Sequence, residues 1–503
     1  MLQLTPRKKA FLTGTLLLTF TGLICRILGF FYRIYLSRTI GAEGLGLYQM
    51  VHPLFGICFA LCAGSLQTAL SQYVAARQAQ GKKALAAALS VSMSLSILLA
   101  WGIASLRLPL ARYVLLEPRC APFLPVIALS VPFCALHACI NGYYYGMQKT
   151  RVPALSQVAE QMIRMGAVWM IVCVWAEKGR PVTVELAFYG HLAGEMASAL
   201  FTLMCLGAFP PRNTPPASPE SEYSFFQVLS SLLSLALPLM GNRLVLNILG
   251  SAEAIWIPDR LNASGLTDSQ ALSLYGVLTS MAMPFIFFPS AITNSMAVLL
   301  LPSAAEAQAQ ENRERISSML TVSIRFSCYM GILCIGIFTR FGHPLGISLF
   351  HNKQAGDFIT TLCWLCPFMY LTTTLGSIQN GLGKTSSTFL QNVAAMILRL
   401  LFVLFAIPSF GIRGYLWGLL TSELFLAFMC FRSLSRLAPV CWDVFSMVVK
   451  PVFLLLTALG MDLALHSLPP FSLIISPFFN TAVRTAFISL SYGGLLMLFH
   501  KKR

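Results

Sequence analysis

The chain of 503 residues carries 35 lysines and arginines against 18 aspartates and glutamates, which gives a net charge of +17. Only 11% of its residues are charged and 56% are hydrophobic, whereas a water-soluble protein is about 25% charged. These values exclude a soluble globular protein, and the apolar content excludes a disordered chain. A membrane protein remains, and at ~20 apolar residues per helix the hydrophobic total allows roughly fourteen spans.

The first predicted transmembrane helix runs from Phe11 to Leu36, directly after the basic group Arg7-Lys8-Lys9. A signal peptide would also begin with basic residues and an apolar run. Here the run is long enough to span a membrane, and no small-x-small cleavage site follows it. The pattern therefore favours a retained first helix.

Thirteen further apolar runs predict additional spans. They are long and continuous, which favours helices over the alternating strands of a membrane barrel. The chain is therefore expected to be an all-α integral membrane protein with about fourteen transmembrane helices. The runs cover roughly residues 47–73, 84–106, 121–146, 154–176, 184–209, 225–250, 272–301, 316–340, 357–379, 388–409, 414–431, 444–466 and 474–499. Kinks are expected at the prolines within them, which are Pro53, Pro132, Pro238, Pro284, Pro289 and Pro367.

The predicted topology places both termini in the cytoplasm, because an even number of spans returns the chain to its starting side. Arg7-Lys8-Lys9 and Lys501-Lys502-Arg503 then lie inside, and the inner loops carry more lysine and arginine than the outer ones. Nucleic-acid binding is not expected, since no basic stretch is interleaved with aromatic residues on a soluble domain.

One polar, proline-rich segment, residues 210–224, predicts a linker. It would separate an N-terminal lobe of spans one to six (1–209) from a C-terminal lobe of spans seven to twelve (225–435). Residues 436–503 would add spans thirteen and fourteen.

The two predicted lobes resemble each other in sequence. A shift of 235 residues aligns spans four and five with ten and eleven, and a shift of 228 aligns span six with span twelve. Six spans per copy give both copies the same orientation, which predicts a pseudo-two-fold axis along the membrane normal. The aligned identities include Pro132 with Pro367, Gly146 with Gly381, Lys149-Thr150 with Lys384-Thr385, Arg164 with Arg399, Gly190 with Gly418 and Glu195 with Glu423.

Arginines inside the predicted spans are candidate ligands for an anion, because an ionisable group at membrane depth costs several kcal/mol unless it is paired or faces water. Arg26 lies deep in span one, and Arg33 follows two turns later on the same face. Helix–helix hydrogen bonding, or snorkelling of Arg33 to the interface, is the structural alternative. The candidate substrate-binding residues are Arg26, Arg33, Arg243, Asn247 and Arg164.

Span five carries an acid and a base on one face. Glu160 and Arg164 are four residues apart, so an internal ion pair is expected, either as a gate or as a structural contact. Glu195 and Glu423 could hold a proton or sodium, or pair with a neighbouring arginine. The candidate gating or ion-coupling residues are Glu160, Gln157, Glu195, Glu423 and Arg399.

Catalytic and cofactor motifs are missing from the sequence. Gly381-Leu382-Gly383-Lys384-Thr385 is not a Walker A loop, because Ile378 occupies the position of the first glycine. The cysteines, Cys363 and Cys366 included, lie mostly in apolar runs, which is typical of small buried hydrophobes. No enzymatic activity, cofactor or metal is therefore expected.

Several motifs together resemble the stage V sporulation protein B-like family. These are Arg26-Ile27-Leu28-Gly29-Phe30-Phe31-Tyr32-Arg33, Ile40-Gly41-Ala42-Glu43-Gly44-Leu45-Gly46-Leu47-Tyr48 and Asn141-Gly142-Tyr143-Tyr144-Tyr145-Gly146-Met147-Gln148. The resemblance covers essentially the whole chain. It places the sequence in the multidrug/oligosaccharidyl-lipid/polysaccharide exporter superfamily, near the lipid II flippases.

The resemblance implies a function. Family members have two six-helix lobes with alternating access, and spans thirteen and fourteen would form a groove for a polyprenyl tail. The implied partners are an undecaprenyl-diphosphate-linked glycan, membrane lipids and a coupling ion (H+ or Na+), at a bacterial plasma membrane and in cell-wall or sporulation chemistry. Arg26 matches the first span-one arginine of the lipid II flippases, and Arg33 lies one position later than their second. The lipid II flippases also carry basic residues in spans two and eight, and the corresponding stretches here, Phe55–Gly64 and Thr279–Met283, contain none.

Two other functions are alternatives to the flippase. An ion-coupled multidrug or metabolite antiporter of the same superfamily is the main alternative, and the predominance of cations inside the spans counts against it. A membrane glycosyltransferase would need acidic catalytic residues or a sizeable soluble loop.

Overall fold

The computed structural model describes residues 6–208, 224–440, 443–466 and 477–500, of which residues 6–13, 15, 16, 466, 477 and 500 are described by their backbone only. Most residues in these ranges are helical, and none of them forms a strand. The α-helices are α1 (Pro6–Phe59), α2 (Ser65–Ala76), α3 (Gly81–Ser105), α4 (Arg107–Pro109), α5 (Leu124–Gly146), α6 (Arg151–Glu177), α7 (Glu185–Ala208), α8 (Phe225–Ala263), α9 (Asp268–Gly276), α10 (Met283–Phe287), α11 (Ser290–Ala309), α12 (Arg313–Phe350), α13 (Lys353–Leu362), α14 (Cys366–Gly381), α15 (Thr385–Phe410), α16 (Ile412–Ser435), α17 (Lys450–His466) and α18 (Pro477–His500). Short π-helical turns occupy Ala60–Gly64, Leu110–Val114, Val277–Ala282 and Phe445–Val449.

The predicted membrane spans are confirmed. Among the described residues, thirteen helical stretches are long and apolar enough to cross a membrane. The longest, Leu17–Ala76, covers the first predicted span from Leu17 onward and the whole of the second, and each of the other twelve predictions coincides with one stretch. The eighth prediction is too long, because the helix ends at Phe287 and a new one begins at Ser290 after Pro289.

A single glycine divides the first two spans. Gly41 has φ 71° and ψ −177°, and the chain is helical on both sides of it. This backbone conformation lies in the left-handed region, which a glycine adopts at little cost because it has no Cβ. The residues between the two predicted spans therefore form a sharp kink in α1 and not an extended loop.

The six prolines behave in two ways. Pro53, Pro132 and Pro238 lie inside α1, α5 and α8, as expected. Pro284 and Pro367 follow a π-helical turn and a 3-10 turn inside the continuous helical stretches Asp268–Phe287 and Lys353–Gly381, where such irregular turns accompany a missing N–H. Pro289 instead lies at the N-cap of α11, where its missing N–H costs nothing.

The chain forms two compact units, Met1–Asp259 and Arg260–Arg503. The first unit thus includes most of α8, which the sequence grouped with the second lobe. The predicted linker lies outside the described residues up to position 223, as do Lys501-Lys502-Arg503. The division of the lobes at 210–224 stays a prediction.

Small residues set the packing in the first unit. Leu66, Leu70 and Val74 of α2 are fully buried with Val228 of α8 in one apolar cluster. A Cβ on Gly142 of α5 would lie 2.6 Å from the carbonyl oxygen of Gln67, so only glycine allows this approach of α5 to α2. This close backbone contact is typical of helices packed in a membrane.

The sequence repeat is matched by the helices themselves. At a shift of 235, the last residue of α5 (Gly146) falls on the last residue of α14 (Gly381). At a shift of 228, α7 and α16 agree to within one residue at each end. A Cβ on Gly146 would lie 2.8 Å from the carbonyl oxygen of Ser71, and one on Gly381 would lie 2.3 Å from that of Leu301. Equivalent glycines therefore make equivalent close approaches within each unit.

The last two helices are held by a buried ion pair. Arg484 of α18 donates to both carboxylate oxygens of Asp462 of α17, with Nε 3.1 Å from each and Nη2 2.5 Å from Oδ2. Asp462 is only 2% exposed. The Arg484 guanidinium also lies 5.2 Å from the centre of the Phe341 ring on α12. The pair therefore joins α17 and α18 and places them against α12.

Candidate functional site

Charged and polar side chains of α5, α6 and α7 meet inside the first unit. We call the group the acid–histidine cluster; it consists of Cys134, His137, Glu160, Arg164, His191 and Glu195. Close packing of α6 on α7 brings it together. A Cβ on Gly194 would lie 3.1 Å from the Glu160 carbonyl oxygen and 3.2 Å from Arg164 Cβ.

Arg164 lies between the two acids of this cluster. Its Nη2 is 2.5 Å from Glu160 Oε1 and 3.6 Å from Glu195 Oε1. The ion pair predicted between Glu160 and Arg164 is thus present. Glu195 is 4% exposed and adds a second buried carboxylate next to the same guanidinium.

Two histidines that the sequence analysis overlooked surround Glu195. His137 Nε2 lies 2.8 Å from Glu195 Oε2, and His191 Nε2 lies 3.9 Å from Oε1. The ligand atoms of Cys134, His137 and Glu195 all lie within 4.8 Å of one another. The signals were available in the sequence, since Cys134 and His137 are three apart on one helix face and His191 and Glu195 are four apart on another.

The charges of the cluster do not cancel. With neutral histidines and a neutral thiol, Glu160 and Glu195 outnumber Arg164 and leave one net negative charge in a buried site. An unbalanced buried charge is costly. The cluster is therefore suited to hold one additional cation, either a proton on a histidine or a bound ion.

Arg243 belongs to a second, separate group, a polar row on α8. Its Nη2 donates to Thr68 Oγ1 of α2 at 3.0 Å. A Cβ on Gly64 would lie 2.4 Å from Arg243 Nη1, so this glycine leaves the space that the guanidinium occupies. Arg243 is thus held in a fixed position at membrane depth.

The row continues along the same face of α8. Asn247 Nδ2 donates to the Arg243 carbonyl at 2.8 Å, and Ser251 Oγ donates to the Asn247 carbonyl at 2.6 Å. A Cβ on Gly56 of α1 would lie 3.1 Å from Asn247 Oδ1. Arg243 and Asn247 therefore each lie against a glycine, Gly64 and Gly56 respectively.

Arg26, Arg33 and Gln157 are exposed, and none forms a hydrogen bond or ion pair with another described residue. Their helices do pack together, since a Cβ on Gly29 of α1 would lie 3.2 Å from Gln161 Nε2 of α6. The two arginines therefore need water or an anion to satisfy their charge. Joint capture of a ligand by Arg26 and Arg243 stays a prediction.

The second unit contains a polar cleft of about 510 Å³ that includes Glu423. Thr372 Oγ1 donates to Glu423 Oε2 at 3.4 Å. The cleft is lined on α14 and α15 by hydroxyl and amide groups of Thr373, Ser377, Asn380, Thr388 and Asn392. Arg399 lies on α15, which packs against the helix of Glu423. The gating and ion-coupling roles of Glu423 and Arg399 stay predictions.

An ion-pair group outside the spans fastens the kink of α1. Arg119 Nη1 lies 2.7 Å from Glu43 Oε1, and its Nε and Nη2 donate to the two oxygens of Glu117 at 2.8 and 2.9 Å. The hydrogen bond to Glu117, with that to Glu43, holds the pKa of Arg119 above its ordinary value. Glu43 follows Gly41 by two residues, so the group anchors the kink to the segment before α5.

Comparison with known proteins identifies two families. The polysaccharide biosynthesis protein family matches residues 11–300, and the MatE family matches residues 257–405. Stage V sporulation protein B of Bacillus subtilis (strain 168) is 27% identical over 440 residues, which cover 86% of this chain and 85% of the relative.

Solved structures share the fold. The lipid II flippase MurJ in an inward closed conformation superposes with a TM-score of 0.72 at 13% identity, over 97% of this chain and 99% of that chain. An inward-facing multidrug resistance MATE family transporter of the MOP superfamily gives a TM-score of 0.64 at 15% identity, over 82% of this chain and 95% of that chain.

Proposed function

Because the chain belongs to the polysaccharide biosynthesis protein family, we propose that it is a flippase for an undecaprenyl-diphosphate-linked saccharide. The substrate would be lipid II or a related cell-wall or polysaccharide precursor, carried from the inner to the outer leaflet of the bacterial plasma membrane by alternating access. Both termini would be cytoplasmic. The observation that most supports this proposal is Arg243, a cation within a predicted span. Its guanidinium donates a hydrogen bond to Thr68 and fits beside Gly64, which has no Cβ to occupy that space.

A diphosphate is the chemical group that best matches these arginines. The guanidinium is planar, permanently charged and able to donate two parallel hydrogen bonds to phosphate oxygens. Arg243 uses Nη2 on Thr68 and keeps its other donors for a ligand. Arg26 and Arg33, which are exposed, would supply further positive charge on the same anion, and Asn247 would donate to it or to a sugar.

The acid–histidine cluster would couple this movement to an ion. It holds one net negative charge, so H+ or Na+ would enter it favourably and change the interactions of Arg164 with Glu160 and Glu195. Gln157, one turn before Glu160, would line the approach. In the second unit, Glu423 and Arg399 would serve in the same way.

The lipid tail would stay in the bilayer. Phe453 and Leu456 of α17, with Leu490, Met497 and Leu498 of α18, are all more than half exposed. Such an apolar surface fits lipid tails, and the family resemblance assigns the tail groove to these two helices.

The alternative, an antiporter of cationic drugs, would need exposed acids in the membrane. In the first unit, the acids buried within α6 and α7 are already engaged with Arg164 and His137. Glu423, which lines the cleft of the second unit, is the observation in favour of the alternative. The exposed charges at Arg26 and Arg33 have the wrong sign for that substrate.

Native mass spectrometry of the detergent-purified protein tests the proposal. We expect the wild type and the control Arg180→Ala, an exposed loop substitution, to retain added undecaprenyl-diphosphate saccharide. Arg26→Ala and Arg243→Ala should each lose most of it. Retention by all four proteins would reject the arginine site, and no binding by any would reject the substrate class.

A further inference from the structure

We propose that Cys134, His137, His191 and Glu195 form a binding site for a divalent transition-metal ion of the zinc type. Three of these residues offer ligand atoms that all lie within 4.8 Å of one another: Cys134, His137 and Glu195. His191 stands one helical turn before Glu195, with its Nε2 3.9 Å from Oε1. The site does not depend on the lipid-linked saccharide as substrate, but while it holds the divalent ion this ion takes the place of the coupling H+ or Na+ proposed for the same cluster.

The donor set fits this class of ion. Zinc binds thiolate sulfur at ~2.3 Å, imidazole nitrogen at ~2.0 Å and carboxylate oxygen at ~2.1 Å, in tetrahedral geometry that sets its ligands about 3.3–3.8 Å apart. The ligand atoms of Cys134, His137 and Glu195 lie at most 4.8 Å apart, so shifts of about 1–1.5 Å would bring these three to coordinating distance. Magnesium and calcium prefer oxygen ligands, so a set of sulfur, nitrogen and one carboxylate selects against them.

His191 supplies the second observation. It is 4% exposed, and among the described residues neither of its ring nitrogens has a hydrogen-bond partner. A buried imidazole with no partner is costly, and coordination of an ion would satisfy it.

Charge also supports the site. The cluster of Glu160, Arg164 and Glu195 carries one net negative charge. A divalent ion that displaces the thiol proton of Cys134 to water brings the site to neutrality. The ion would replace the hydrogen bond between His137 Nε2 and Glu195 Oε2, which are 2.8 Å apart, and the neutral imidazole would carry its proton on Nδ1. Oε1 of Glu195 stays with Arg164, whose own charge is neutralised by Glu160 at 2.5 Å.

The second unit provides an internal comparison. At the repeat shifts, Arg164 and Glu195 correspond to Arg399 and Glu423, so the acid and the base are kept. The three other ligands are not kept. Cys134, His137 and His191 correspond to Met369, Thr372 and Leu419, and Thr372 donates a hydrogen bond to Glu423 in place of the histidine. The structure therefore supports a glutamate at this place without a metal-binding set, and the set in the first unit is an addition.

Zinc and cobalt binding to the full-length detergent-purified protein tests the proposal. We expect one Zn2+ per chain by equilibrium dialysis, and a thiolate-to-cobalt charge-transfer band when Co2+ is the probe. His137→Thr and Cys134→Met, which copy the residues of the second unit, should weaken binding at least about 100-fold and abolish the band. Cys139→Ser changes another buried cysteine of α5 outside the group and should leave both unchanged.

Folding is checked by the melting temperature without metal. If either variant does not fold, His191→Leu takes its place with the same expected loss. The absence of stoichiometric Zn2+ in the wild type, bound Co2+ without the band, or equal loss in Cys139→Ser would each overturn the proposal.

Discussion

The net charge of the acid–histidine cluster leads to an asymmetric prediction. Glu195→Gln removes the excess negative charge and keeps the shape of the side chain, whereas Arg164→Gln leaves Glu160 and Glu195 buried together without a cation. Removing one partner of a buried pair typically costs about 3–5 kcal/mol, because the other charge is left uncompensated. The loss of hydrogen bonds around a neutralised carboxylate costs about 1–3 kcal/mol. Arg164→Gln should therefore be the more destabilising change by roughly 2 kcal/mol.

Thermal unfolding in detergent with a chelator present measures this difference. The wild type should melt highest, Glu195→Gln somewhat lower and Arg164→Gln lowest, because only the last leaves two net negative charges within the unit. Gln157→Ala, an exposed position on the same helix, is the matched control and should melt like the wild type. An equal or larger loss in Glu195→Gln would refute the charge reasoning.

Three further predictions concern the other buried or ion-paired groups. Asp462→Asn removes the buried partner of Arg484. It should cost about 3–5 kcal/mol and make α17 and α18 easier to cleave with a protease; protection equal to that of the wild type would contradict this. Gly64→Ala puts a Cβ 2.4 Å from Arg243 Nη1; it should cost about 1–3 kcal/mol and weaken lipid retention in native mass spectra, and unchanged retention would contradict the role of this glycine. Arg119→Gln removes the link to Glu43 at 2.7 Å; because this pair is partly exposed, it should cost only about 0–1 kcal/mol, and a larger fall in melting temperature would contradict that assessment.

The fold followed closely from the sequence because hydrophobic length is a direct physical signal. A run of about twenty apolar residues has few other stable conformations in a bilayer. The interruptions were harder to place. Gly41 kinks one long stretch without a polar loop, and Pro289 divides a predicted span. Both interruptions were hard to predict because each depends on a single residue and leaves the mean hydropathy almost unchanged.

The candidate site was only partly predictable, for a geometric reason. Residues four apart on one helix must be neighbours, so the pair of Glu160 and Arg164 could be foreseen. His137 on α5 and Glu195 on α7 are 58 residues apart in the chain and are in contact in the structure. The sequence does not encode such a pairing locally, because it depends on the packing of α5 against α7.

The arginines show the complementary limit. Depth within a span identified Arg243, and the structure adds the groups that hold it, namely Thr68 and the gap at Gly64. Arg26 was identified in the same way, yet it is exposed and makes no polar contact with another described residue. The position of an arginine within a predicted span indicates that its charge needs a partner, but not whether that partner is protein, water or a ligand.

Transbilayer movement of a lipid-linked saccharide in proteoliposomes tests the central claim most directly. The protein is reconstituted with a fluorescent undecaprenyl-diphosphate saccharide, and a membrane-impermeant reductant then bleaches the outer leaflet. We predict that wild-type vesicles lose nearly all fluorescence, whereas Arg243→Ala vesicles and protein-free vesicles lose about half, the share of a bilayer's outer leaflet. Loss of only half in wild-type vesicles, or complete loss with Arg243→Ala, would contradict the account.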